Sequence, residues 1–249
     1  RDVLAYLAHL SYGDARTALN ALEMAVSSIA PGGGAVELGR GAIEEAVQKR
    51  NLLYDKAGDE HFNIISALHK SLRGGDPDAG LYWLARMLEA GEDPLYVARR
   101  LVRFASEDVG NADPQALQTA TAATEAVRFI GMPEGKLALA QAVTYLATAP
   151  KSNALDRAYN AAAADVDEHG PLPVPLWIRN APTRLMKDLG YGSGYRYPHE
   201  DIDAVVAQEY FPEQLAGRRY YHPVERGFER EIIKRIEYWR RLRKSREET

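Results

Sequence analysis

The sequence predicts an all-α protein, and three observations carry that prediction. Apolar residues recur at helical rather than alternating spacing along most of the 249 residues. Asp-Pro pairs at Asp76-Pro77, Asp93-Pro94 and Asp113-Pro114 each open a segment of one helix length. Aspartate caps a helix by accepting orphan backbone N–H groups, and proline suits the first helical position. Third, alanine is abundant on the predicted inner faces, which lets helices approach closely. The length fits one or two domains with a real core.

In chain order, Val3–Leu10 reads as a short apolar helix broken by Ser11–Asp14. Asp14 is placed to cap the next helix, whose predicted stripe is Ala15, Ala18, Leu19, Leu22, Ala25, Val26 and Ile29. Pro31 ends it, and PGGGAVELG reads as a loop or short hairpin before a helix covering Ile43, Ala46 and Val47. From Asp59, the residues Ile64, Ile65, Leu68 and Leu72 form a stripe stopped at Gly74-Gly75. The Asp-Pro segments follow with Leu81, Leu84 and Leu88, then Val97, Leu101 and Phe104, then Leu117, Ala120, Ala123 and Val127. Met132-Pro133 and Ala149-Pro150 open two more, with Leu137, Ala140, Val143 and Leu146, then Leu155, Ala158 and Ala162. Gly170–Asp201 is rich in proline and glycine and reads as extended, aromatic-bearing backbone with a short helix from Thr183 to Leu189. Ile202–Tyr210 and Val224–Arg246 are predicted as the last helices. In the latter, Phe228, Ile232, Ile236 and Trp239 share one face, the pattern of a core or subunit interface.

Composition excludes several classes. Apolar residues are 46% and charged residues 27%, which is globular composition. With no cysteine there is no disulfide framework and no Cys-ligated metal, which fits a reducing cytosol. No apolar run approaches the roughly 20 residues that span a bilayer, so no membrane partner is expected. The chain starts at Arg1 with a helix-like segment, and reads as part of a longer protein. Net charge is −4, yet Arg218–Arg246 holds eleven lysines and arginines against four glutamates. A basic tail on an acidic body suits a polyanion, and Tyr220, Tyr221, Tyr238 and Trp239 within it add stacking surface. Arg240, Arg241, Arg243 and Lys244 are its candidate DNA-binding residues.

No catalytic constellation stands out. GxxxxGK[ST] is absent, and the run Gly32–Gly34 lacks the lysine of a phosphate loop. The six histidines form no HExxH or other convincing ligand spacing, so no metal is expected. GxSxG is absent, and the paired carboxylates are those of any helical surface.

Several segments resemble one family. GDARTALNALE resembles the second-sensor helix in the lid of AAA+ ATPases. The runs NLLYDKAGDEHFNIISALHKSLRGGDPDAGLYWLARMLEAGEDPLYVARRLVRFASEDVG, IGMPEGKLALAQAVTYLATAPKSNA, VPLWIRNAPTRLMKDLGYGSGYRYPHED and QEYFPEQLAGRRYY resemble the C-terminal part of the RarA/MgsA family, bacterial relatives of the Werner-helicase-interacting ATPase. That resemblance implies a small helical AAA+ lid remnant over residues 1–52 and a larger helical oligomerisation domain over 53–249. It implies a clamp-loader-like ATPase acting on stalled or damaged replication forks, cytoplasmic and associated with the nucleoid. Homotetramers, DNA ends or single strands, and single-stranded-DNA-binding protein are the expected partners. Arg16 corresponds to the lid arginine that senses the γ-phosphate, with Asp14 capping its helix. ATP and Mg²⁺ belong to the full-length protein; with no phosphate loop, this chain is expected to be inactive alone. Subunit contacts are expected on the Asp76–Gly110 helices, at Tyr82, Trp83, Met87 and Tyr96. The alternative is a stand-alone helical interaction scaffold without a nucleotide link.

Overall fold

The computed structural model describes residues 2–10, 15–29, 38–45, 59–201 and 203–247. Every regular element among them is helical. α1 (Asp2–Leu10), α2 (Ala15–Ile29) and α3 (residues 40–45) share a small core of Leu7, Ala21, Ala25 and Ile43. Leu19 and Ile29, expected on the buried stripe of α2, are exposed, because the packed face centres on Ala21 and Ala25. Asp14, the glycine-rich loop and the Ala46–Val47 end of α3 lie outside the described residues.

The main core is built by α4 (Asp59–Gly74), α5 (Pro77–Glu89), α6 (Pro94–Phe104), α7 (Gln115–Ile130) and α8 (Lys136–Thr148). α8 lies at the centre and packs on each of the other four. Its buried residues, Leu139, Ala142, Val143, Leu146 and Ala147, therefore spread around the helix rather than along one stripe. α5 crosses it closely at Gly80, where a β-carbon would meet Val143 Cγ1 at 3.0 Å and Leu72 Cδ2 at 3.2 Å.

The Asp-Pro devices work as the sequence reading holds. Asp76 accepts from the Ala79 N–H and Asp93 from the Leu95 N–H, each at 2.9 Å. Asp113 accepts from the Gln115 N–H at 3.0 Å, and its second oxygen takes the Tyr145 hydroxyl proton at 2.7 Å, tying the start of α7 to α8. Ile64, Ile65, Leu68 and Leu72 are buried, as are Val97, Leu101 and Phe104.

Elsewhere the structure shifts the register. The inner face of α7 runs through Ala116, Ala120, Ala123 and Val127, leaving Leu117 exposed. In α8 the core residue is Leu139, and Leu137 is 71% exposed. Met132-Pro133 opens a turn before α8 starts at Lys136, and Pro150–Asn153 is loop before α9 (Ala154–His169). α9 buries Ala158, while Leu155 is exposed. α10 (Arg184–Asp188) forms where expected, with Thr183 as its cap. No helix forms over 203–210: Ala204 has φ 52°, and Glu209 turns its carboxylate to the N–H groups of Tyr210, Phe211 and Gly217. α11 (Glu229–Glu247) begins five residues later than predicted.

The two leucines of α8 give a direct test of this register. Leu139→Ala should lower stability by about 3 kcal/mol, and Leu137→Ala should stay within about 0.5 kcal/mol of the parent. Urea unfolding of both variants measures the difference.

Candidate nucleic-acid interface and its buried anchor

The basic tail is held to the bundle at its root. Gly227 sits at φ 49°, where a β-carbon would collide with the Ala112 carbonyl oxygen. Glycine therefore allows the chain to press against the bundle, and the next N–H, of Phe228, donates to that same oxygen at 2.7 Å. Glu229 follows and is completely buried. Its carboxylate accepts from Ser152 Oγ at 2.8 Å, Tyr221 OH at 2.7 Å and the Val224 N–H at 2.8 Å. A buried carboxylate is tolerated when its lone pairs meet donors in this way. Tyr221 in turn accepts from the Asn111 side-chain amide at 3.1 Å. Burial chiefly pushes the Tyr221 hydroxyl up to about 12; the Asn111 amide opposes this and the Glu229 carboxylate adds to it.

Ala112, Asn111 and Ser152 are placed by an irregularity that follows α6. The helix widens into a π turn at Ala105–Val109 and tightens to a 3₁₀ turn at Gly110–Ala112. Asp108, within the π turn, takes both donors of the Arg73 fork at 2.5 and 3.0 Å, and its carbonyl accepts from the Ser152 N–H at 2.8 Å. Two further ion pairs hold the approach to α11 and its far end. Arg218 grips Asp165 with two bonds of 2.7 Å, and Tyr220 donates to the same carboxylate at 2.8 Å. The Arg218 bonds first, then Tyr220, hold the Asp165 carboxyl down at about 2. Arg246 reaches Asp201 at 2.6 Å and Asp203 at 2.8 Å. Asp165, Glu168 and His169 have ligand atoms within 4.8 Å of one another, but the cationic partner of Asp165 is Arg218.

Between these fixings α11 presents its charge to solvent. Arg240, Arg241, Arg243 and Lys244 are all exposed, as expected from the sequence. At 3.6 residues per turn they divide. Arg241 and Lys244 fall on one outer stripe with Arg230 and Lys234, whereas Arg240 and Arg243 lie towards the Ile236 side. Arg243 faces Glu209: burial opposes ionisation of that carboxyl, but the three backbone N–H groups and the Arg243 charge hold it below its usual range. Arg230 and Lys234 are additions that the four-residue prediction missed, and the i, i+4, i+11, i+14 spacing is the signal that finds them. The apolar stripe is not core within this chain, since Phe228 is 38% and Trp239 44% exposed and Ile232 and Ile236 are half-buried.

Arg16 lies in the first turn of α2, and its side chain lies outside the described residues. Of the residues expected at subunit contacts, Tyr82 is exposed and packs edge-on against the half-buried Trp83. Tyr96 is half-buried, and Met87 is fully buried in the bundle core, so it is unavailable to a neighbour.

An unpaired group sits inside the bundle. His69 packs edge-on against Phe104 with ring centres 5.5 Å apart, and its Nε2 meets no hydrogen-bonding partner among the described residues. Burial foremost, then the Arg100 charge and more weakly Arg73, pull the imidazole down to about 4, against the opposing pull of Asp108 and Glu107.

Comparison with known proteins defines the class. A family model described as the MgsA AAA+ ATPase C terminal matches residues 74–240, and one described as an AAA C-terminal domain matches residues 1–73. The chain belongs to the MgsA family of AAA+ ATPases and corresponds to its C-terminal part. The particular relatives are replication-associated recombination proteins A. That of Coxiella burnetii (strain RSA 493 / Nine Mile phase I) is 52% identical over 92% of this chain and 52% of its own length. That of Escherichia coli (strain K12) is 50% identical over 92% of this chain and 52% of its own. A Dictyostelium discoideum protein named ATPase WRNIP1 is 43% identical over 88% of this chain and 27% of its own. The chain thus spans about half the length of the bacterial relatives it matches.

The buried imidazole makes stability depend on acid. The folded pKa of about 4 lies below the ordinary 6.5, so the unfolded chain binds the proton more readily. Stability should fall as pH drops from 6.5 towards 4, with a total loss of about 3 kcal/mol below that range. Replacing His69 with leucine should flatten this window, as read by urea midpoints at neutral pH and near pH 4. A parent whose midpoint is constant across the window contradicts the assignment.

Proposed function

We propose that this chain is the lid and oligomerising half of a clamp-loader-like AAA+ ATPase that acts on DNA at stalled or damaged replication forks. The observation that carries the reading is the match of both family models, end to end, over residues 1–240. The names of the relatives supply the setting of replication-associated recombination. In this reading residues of the lid helix α2 face a nucleotide held elsewhere in the longer protein, with Arg16 reading its γ-phosphate. This chain does not itself fit ATP and Mg²⁺: its sequence has no phosphate-binding loop, and no step of hydrolysis is assigned to its residues.

The remaining parts follow from the same reading. The bundle gathers subunits into a homotetramer, with Tyr82 and the exposed side of Trp83 as candidate contacts. Single-stranded-DNA-binding protein is a further partner, and the protein works in the cytoplasm on the nucleoid. Among the described residues no helix is long and apolar enough to cross a membrane.

DNA is assigned to α11. Arg230, Lys234, Arg241 and Lys244 repeat along one outer face, and each cation that meets a phosphate releases condensed counterions. Tyr238 and Trp239, both partly exposed, flank that face and offer rings to unpaired bases. The test is the anisotropy of a labelled oligothymidylate across a salt series. Arg241→Glu with Lys244→Glu should weaken binding by about tenfold or more and flatten the salt dependence by about 0.7 per lost phosphate contact. Unchanged affinity and slope would move the DNA contact off α11.

A further inference from the structure

A second basic feature lies on the bundle, away from the tail. Between α6 and α7 there is a cleft of about 350 Å³, in the size range of small-ligand and side-chain pockets. Leu95 and Val102 contribute its apolar surface, Tyr96 an aromatic ring, and Arg99 and Arg128 two guanidinium groups. α6 carries three arginines, Arg99, Arg100 and Arg103, and no acidic residue. The Arg99 guanidinium lies over the Tyr96 ring, 5.2 Å from its centre. Arg128 donates to Glu125 at 2.6 Å, but both are more than half exposed, so the pair is readily exchanged for another carboxylate. The nearest carboxylate on α6's own side, Asp93, is engaged in capping Leu95. The cleft therefore joins forked cationic donors to an apolar floor, on a protein whose charge outside the tail is acidic.

We infer that this cleft docks a short acidic peptide segment through one apolar side chain. Arginine forks match carboxylates in pairs, and Leu95 and Val102 receive a side chain of leucine or phenylalanine size. Charge complementarity selects the acidic partner. Nucleic acid fits less well here: the one aromatic face lining the cleft is already covered by Arg99, so no base can stack on it. The site is separate from the α11 surface and stands or falls independently of the DNA assignment.

The test uses the whole 249-residue chain and a fluorescein-labelled peptide of aspartates and glutamates around a single phenylalanine. Alongside it run the same peptide with alanine for phenylalanine, one with lysines for the acids, and labelled oligothymidylate. The acidic phenylalanine peptide should bind; alanine should weaken it by about tenfold, and lysines should abolish binding. Arg99→Glu and Arg128→Glu, both surface changes, should each weaken the acidic peptide by about tenfold and leave oligothymidylate binding unchanged. Arg241→Glu should do the reverse, so failure of one assignment is distinguishable from failure of the other. The inference is overturned if the parent chain ignores the acidic peptide, or if the two cleft variants bind it as the parent does. It is overturned equally if oligothymidylate displaces it, or if Arg99→Glu changes the sedimentation of the chain instead, which would make the cleft a contact between copies.

Discussion

A single buried carboxylate fixes how the basic helix leaves the bundle. Glu229 has no contact with solvent, and its three donors come from separate places: the loop before α9, the Tyr221 ring and the backbone at Val224. A buried charge is costly unless its lone pairs are met, so these donors and the acid hold one another in place. Gly227 allows the approach, since any β-carbon there would strike the Ala112 carbonyl. The Ala112 carbonyl is presented by the π and 3₁₀ turns that follow α6. The fixing point of the tail is thus continuous with the core of the bundle through backbone and side chain.

Charge is distributed by the same logic. The arginines that approach the body are matched: Arg73 by Asp108, Arg218 by Asp165, Arg246 by Asp201 and Asp203. These pairs fasten segments that have little apolar surface of their own. The cations left facing outward on α11 and along the α6–α7 cleft are then those available to anions. Two basic surfaces of different character result, one a charged ridge flanked by rings and the other a cleft with an apolar floor.

Much of the bundle was legible in the sequence because its signals are local. Asp76 and Asp93 cap within three residues of themselves, and the stripes of α4 and α6 need only helical spacing. What was not legible depends on neighbours. In α8, Leu137 and Leu139 fit a helical pattern equally well, and only the central position of this helix among four others selects Leu139. In α7 the packed row is alanine, so the larger Leu117 misleads. The Val205-Val206 pair suggested a helix, yet both are buried from non-helical backbone while Glu209 caps the turn beyond. Glu229 is hidden among the charges of a strongly basic segment, where a glutamate ordinarily faces water. The four tail cations were legible by composition, whereas their division into two faces required the helix to be located first. Arg16 was reachable only through family resemblance.

The claim that Glu229 fastens α11 is tested most directly by native-state hydrogen exchange on Glu229→Ala beside the parent chain. The account predicts that amides of α11 and of residues 220–228 lose protection by at least about tenfold, while those of α4 to α8 keep theirs. Unchanged protection along α11, or equal loss across the bundle, would contradict it.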